Sequence, residues 1–114
     1  MADLEAPLDL PVSTTFDVPG RTVSAFVGPV FGVLVRSSGA AGNIKGTFRA
    51  FKHGEVEEFT EAVEEARRIV LERLVEHARG QGAHAVVGLQ FHSTDLGGQG
   101  ITELVAYGTA VTLE

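Results

Sequence analysis

Residues 55–79 form the longest amphipathic segment of the chain, and this segment limits the fold more than any other feature. Apolar side chains recur at helical spacing from Phe59 to Ala78. Glutamates fill the first half and arginines the second, an order that complements the helix macrodipole. A helix of this extent would run about 35–38 Å, whereas a compact chain of this length has a radius of gyration of about 13 Å. We therefore expect the helix to lie along a sheet, with part of its face meeting another subunit.

Apolar and β-branched runs on both sides of this helix predict the sheet. Upstream, 22–27 and 30–36 are separated by a Gly-Pro pair, so they form either two strands or one strand with a break. Downstream, 84–93 and 101–113 predict two strands joined by a glycine-rich hairpin loop. The order predicts an α+β fold, a two-layer β-α-β-β subunit with an antiparallel sheet packed on one long helix.

Finer patterns within these runs predict burial. The near-continuous apolar run 30–35 indicates a strand buried on both faces. Alternation in 84–93 predicts one face for Ala85, Val87, Leu89 and Phe91, and the other face for His84, Val86, Gly88, Gln90 and His92.

Two shorter segments carry weaker patterns. Residues 12–16 form a short β-rich run, and 43–52 shows helical spacing. In the second segment Ile44, Phe48 and Phe51 share one face, with Lys45, Arg49 and Lys52 beside them.

Length and composition set the class of protein. A chain of 114 residues fits one domain, which we place at 12–114 behind a flexible N-terminal arm at 1–11. The absence of cysteine excludes disulfides, thiolate metal sites and a cysteine nucleophile. A net charge of −6 argues against nucleic acid as a partner. The acidic start and the lack of a long apolar run predict a cytoplasmic protein without a membrane span.

Three blocks of residues together resemble a known family. They are 14–32, with Gly28-Pro29-Val30-Phe31-Gly32 at its end, 61–74, and Gly82-Ala-His-Ala-Val-Val-Gly88-Leu89 followed by Gly108-Thr-Ala-Val111. In order and spacing they resemble the YbjQ, or UPF0145, family, which is named for heavy-metal binding. The resemblance implies a dodecin-like layer that assembles as a ring-shaped homopentamer, with extra strands bridging subunits. It implies no known activity.

The family name raises the question of metal ligands. Without thiolates, the weak candidates are His84, His92 and Glu103. His84 and His92 are about 26 Å apart along one strand, so only copies in a ring could share an ion. Ordinary polar residues on a strand are the favoured interpretation. No cofactor is required, and a metal ion stays an open alternative.

Catalytic patterns are weak. Tyr107, Glu103 and His92 could meet across the last hairpin and do acid–base chemistry, but cross-strand pairing explains them more simply. The loose G-x-G-x-x-A string at 80–85 follows a helix and precedes a strand, so it predicts a helix C-cap and not a phosphate loop. We expect a protein that is not an enzyme.

Charge is distributed unevenly along the chain. The span 18–54 contains no acid and carries +5, whereas 55–79 carries −4. A basic patch of Lys45, Arg49, Lys52, Phe48 and Phe51 could bind an anion, RNA or lipid head groups, or it could face an acidic surface of a neighbouring subunit. The subunit interface is the favoured interpretation, and a small anionic ligand stays open.

Two glycines stand inside predicted strands. Gly88 and Gly108 predict close approach by the helix or by a neighbouring backbone.

Strand edges of a small sheet are liabilities unless they are paired, so neighbouring subunits would complete the sheet. The expected function is a non-catalytic homo-oligomeric scaffold or binding protein; the alternative is a carrier or sensor of a small ligand or metal ion held between subunits.

Overall fold

The fold is one helix on a three-stranded antiparallel sheet. The computed structural model describes residues 6–37, 57–96 and 100–114. Their elements, in chain order, are β1 (Val23–Ser37), α1 (Glu57–Gly80), β2 (Ala85–Leu96) and β3 (Ile101–Leu113). The strand order is β1-β3-β2, so the last strand of the chain is the centre of the sheet. The predicted α+β fold with β-α-β-β order is confirmed.

The upstream half of the sheet is one strand. β1 continues through the Gly-Pro pair as a single strand. Its pairing with β3 is irregular before this pair, with register shifts between Val23 and Ala25 and between Phe26 and Gly28. The β-rich run at 12–16 forms no strand; Val12 makes a single parallel bridge to Val86. The predicted helix at 43–52 lies outside the described residues.

The contact between α1 and the sheet is closest at Gly32. A Cβ at this position would overlap the carbonyl oxygen of Val70 and would lie 2.7 Å from the backbone nitrogen of Leu74. Only glycine therefore allows the helix backbone to lie directly on β1. Around this contact is the helix-side core, whose buried members are Val30, Val70, Leu74, Ala78, Ala83, Val86, Ala106 and Ala110.

The N-terminal segment follows the outer edge of β2. The amide of Ser13 donates to the carbonyl of Val86 at 2.9 Å, and the amide of Gly88 donates to the carbonyl of Thr15 at 2.7 Å. Leu10 and Val12 pack against the helix-side core, whereas Val18 packs on the opposite face of the sheet. There it covers a second buried cluster, formed by Ala85, Val87, Val111 and Leu113.

A bulge in β2 reverses the alternation of its side chains. The register against β3 shifts between Val87 and Gln90, and Gly88 adopts a φ of +65°. Ala85 and Val87 consequently face away from the helix, while Leu89 and Phe91 pack against the helix-side core. The predicted common face for these four residues was wrong, because strict alternation assumes that no residue is added to the ladder.

No helix within the described ranges has both the length and the apolar character needed to cross a membrane.

Replacing Gly32 by alanine tests the helix contact. We expect Gly32→Ala to lower the free energy of unfolding by about 2 kcal/mol or more, because the helix must move off β1. Urea unfolding at one fixed protein concentration measures this change. Gly80→Ala is the matched control, since a Cβ there has no neighbour within 4 Å. An equal midpoint for wild type and Gly32→Ala would contradict the contact.

Candidate assembly surface

The sheet face opposite α1 carries exposed apolar side chains. In β1, Phe31, Val33 and Val35 are 48%, 43% and 55% exposed. Phe31 pairs with Tyr107 and Val33 with Val105, so these side chains form continuous cross-strand rows. We call this surface the open sheet face and define it by Phe31, Val33, Val35, Leu96, Ile101, Val105 and Tyr107.

Sequence reasoning missed this exposed face. The apolar run 30–35 predicted burial on both sides of the strand, yet only the side of Val30 is buried within one chain. The apolar run 30–35 indicates a surface that is covered, but it does not distinguish cover by the same chain from cover by another molecule. Large apolar surfaces that stay exposed in one chain usually mark interaction sites.

The weak metal candidates do not converge. His84 precedes β2, and its Nδ1 accepts a hydrogen bond from the amide of Leu113 at 2.9 Å. His92 stands on the open side of the sheet, with Nδ1 3.2 Å from the hydroxyl of Thr94. The predicted common face of the two histidines was wrong, because the bulge in β2 lies between them. Within the described residues, no three His, Cys, Asp or Glu side chains lie close enough to hold a metal ion.

The predicted acid–base trio of His92, Glu103 and Tyr107 lies on one face of the sheet, but its side chains pair with other residues. The hydroxyl of Tyr107 donates to Oε1 of Gln90 at 3.2 Å. His92 is opposite Val105 in the ladder, and Glu103 is opposite Thr94. The geometry is that of cross-strand pairs on an exposed surface.

Helix side chains bond to the outer edge of β1. Nδ1 of His77 accepts a hydrogen bond from the amide of Phe31 at 3.1 Å. One turn earlier, Nη1 of Arg73 donates to the carbonyl of Val33 at 2.6 Å. Pro29 is two residues before Phe31, so its backbone nitrogen points to the same edge of β1. As a proline it has no amide hydrogen that could bond to another strand. These features satisfy part of an edge that would otherwise attract foreign strands.

The two predicted glycines have different surroundings. A Cβ on Gly108 would lie 2.8 Å from Cγ1 of Val86 and 2.9 Å from the carbonyl oxygen of Val87. On Gly88 it would lie 3.0 Å from the ring of Phe16, and the positive φ already disfavours other residues. The tightest glycine, Gly32, was not among the predictions, although it stands inside a strand run just as these two do.

The basic patch of Lys45, Arg49, Lys52, Phe48 and Phe51 lies outside the described residues. Two other arginines of the 18–54 span are described. Arg21 donates through Nη2 to the carbonyl of Glu114 at 3.2 Å. Arg36 lines a groove on the helix side of the sheet.

This groove is a second candidate site, and we call it the distal groove. It separates the first half of α1 from the far end of the sheet and has a volume of about 430 Å³. Its lining includes Leu34, Leu104, Ala62, Ala66, Arg36 and Arg67.

Comparison with known proteins gives a consistent result. A family model described as "Putative heavy-metal-binding", YbjQ, matches residues 10–114. A UPF0145 protein of Sulfurisphaera tokodaii is 41% identical over 92% of this chain and 91% of its own length. A UPF0145 protein of Bradyrhizobium is 45% identical over 90% and 92%.

A similar crystal structure supports the fold alone. It comes from Pediococcus pentosaceus and belongs to a protein of unknown function in the DUF74 family. The TM-score is 0.56 at 16% identity, with 92% of this chain and 98% of the other covered.

The bond between α1 and the edge of β1 can be tested by hydrogen exchange. We expect His77→Leu to raise the exchange rate of the Phe31 amide about tenfold, because this amide loses its acceptor. NMR-detected exchange measures the rate residue by residue. Glu76→Gln, a change at the neighbouring exposed position, should leave it unaltered. Equal Phe31 protection in wild type and His77→Leu would show that another group holds this amide.

Proposed function

Since the chain belongs to the YbjQ, or UPF0145, family, whose matched relatives have no stated activity, we propose that it is a non-catalytic homo-oligomeric scaffold or binding protein. In this proposal the open sheet face of each copy is covered by the next copy. The ring, its pentameric number, its dodecin-like arrangement and the cytoplasmic location stay predictions.

The exposed apolar rows of the open sheet face carry the proposal. The rows Phe31–Tyr107 and Val33–Val105 cross β1 and β3, and β2 adds Leu96 opposite Ile101. Apolar sheet faces pack against other layers at about 10 Å and release water when they do so. Interfaces of permanent homo-oligomers resemble a protein core cut in two, and the rows formed by Phe31, Val33, Val105 and Tyr107 have that composition.

The N-terminal segment supports the same interpretation. It covers the half of this sheet face that contains Ala85 and Val111, and both side chains are buried. Beyond that half, Val33 and Val35 have the same chemistry and remain exposed. A neighbouring copy would cover the exposed half of this face, as the N-terminal segment covers the half with Ala85 and Val111.

Two of the three described histidines support a non-catalytic role. Nδ1 of His77 and Nδ1 of His84 each accept a hydrogen bond from a backbone amide of the sheet. Tyr107 is bonded to Gln90 across the hairpin. These side chains stabilise the subunit, and that use explains their positions without a reaction.

Carriage of a small ligand is the second candidate function. The distal groove favours it, because a volume of about 430 Å³ suits a small molecule. The metal form of this candidate has no comparable support among the described residues.

A charge on the open sheet face tests the proposal. We expect Val33→Glu to lower the association constant by at least about 100-fold, because assembly would bury an unpaired carboxylate. Sedimentation velocity and native mass spectrometry measure the oligomer, and circular dichroism verifies the fold.

Val63→Glu is the matched control for assembly. Val63 is on α1, is 50% exposed, and receives the same substitution on the helix side of the sheet, where it borders the distal groove and not the open sheet face. It should assemble as wild type does. If Val33→Glu also assembles normally, the open sheet face is not the interface and the proposal fails.

A further inference from the structure

The distal groove exists because α1 meets the sheet unevenly. At Gly32 the helix backbone touches β1, so there is no space between the layers. One and two turns nearer the start of the helix, α1 presents Ala66 and Ala62 to the groove. Their short side chains do not fill the distance to Leu34 and Leu104 on the sheet.

The lining of the groove combines an apolar floor with positive charge. Leu34, Leu104 and the two alanines supply the apolar part, and Arg36 and Arg67 supply two guanidinium groups. No carboxylate is among the described lining residues, so within this part of the wall the two guanidinium groups are the only charges. A mainly apolar pocket with a few placed polar groups is the usual form of a small-molecule site.

Arg67 is held in a defined position. Its guanidinium carbon lies 5.4 Å from the centre of the Phe91 ring, which is cation–π geometry. Stacking on a ring leaves the edge of a guanidinium available, and that edge matches the two oxygens of a carboxylate.

We infer that the distal groove binds a free linear aliphatic carboxylate, with its chain on the leucines and alanines and its carboxylate between Arg36 and Arg67. The charge selects an anion, and the apolar floor selects a hydrocarbon chain over a compact anion such as phosphate. The inference goes beyond the proposed assembly, because the groove is on the helix side and the open sheet face is on the other.

Calorimetric titration of the full-length protein with decanoate, below its micelle concentration, tests the inference. We expect saturable binding of one decanoate per chain. Decanol has the same chain without the charge, and inorganic phosphate has charge without the chain, so each should bind at least tenfold more weakly.

Variants locate the binding. Arg67→Gln and Arg36→Gln should each weaken decanoate binding about tenfold or more, because each removes a charge-assisted hydrogen bond. Arg21→Gln removes the same charge outside the groove and should leave binding unchanged. Ala66→Phe should abolish binding by filling the groove, and Ala62→Leu is the milder filling variant if Ala66→Phe does not fold.

Several results would overturn the inference. They are no saturable binding of decanoate, equal binding of decanol, and unchanged binding by folded Ala66→Phe or Ala62→Leu. Binding to anionic phosphatidylglycerol vesicles without binding to free decanoate would identify a membrane surface and would also overturn it. These measurements do not depend on whether Val33→Glu disrupts assembly. The proposed assembly and the proposed carboxylate binding can therefore be refuted separately.

Discussion

The contact of α1 with β1 at Gly32 determines the geometry of the rest of the subunit. Where the helix backbone lies on the strand, the layers are as close as two backbones allow, and Val70 and Leu74 are fully buried beside the contact. The same proximity brings His77 and Arg73 within bonding distance of the β1 edge. Toward the start of the helix, Ala62 lines open space instead. Gly32 thus sets the tight end of the interface, and the short alanines of α1 leave the other end open.

The two faces of the sheet are completed by different means. The helix covers one face, and the N-terminal segment passes around the edge of β2 to cover part of the other. The bulge at Gly88 makes this possible, because it directs Ala85 and Val87 toward the segment and Leu89 and Phe91 toward the helix. The open sheet face is the remainder of the second surface.

The elements of the fold were predictable, but details of their faces were not. Strong periodicity located the long helix and β3, whose observed bounds match the predicted 101–113. The bulge in β2 could not be found from alternation, since only the conformation at Gly88 shows that a residue is inserted. Gly32 was visible as a glycine inside a strand, yet its importance depends on the backbone of Val70 and Leu74, which follow it by 38 and 42 positions in the chain. The open sheet face was foreseen as apolar and misassigned as buried, because a single sequence does not distinguish burial within one chain from burial between copies.

The position of β3 has a consequence for synthesis of the protein. β1 precedes the other two described strands in the chain, but its only neighbour in the described sheet is β3, the last of the three, and Ser24 meets Thr112 across 88 positions. The described sheet can therefore not form until β3 has left the ribosome. During that interval the apolar strand β1 and the apolar stripe of α1 are both without their final partner, a state in which nascent chains are prone to aggregate. A chain that lost β3 would lose the centre of this sheet.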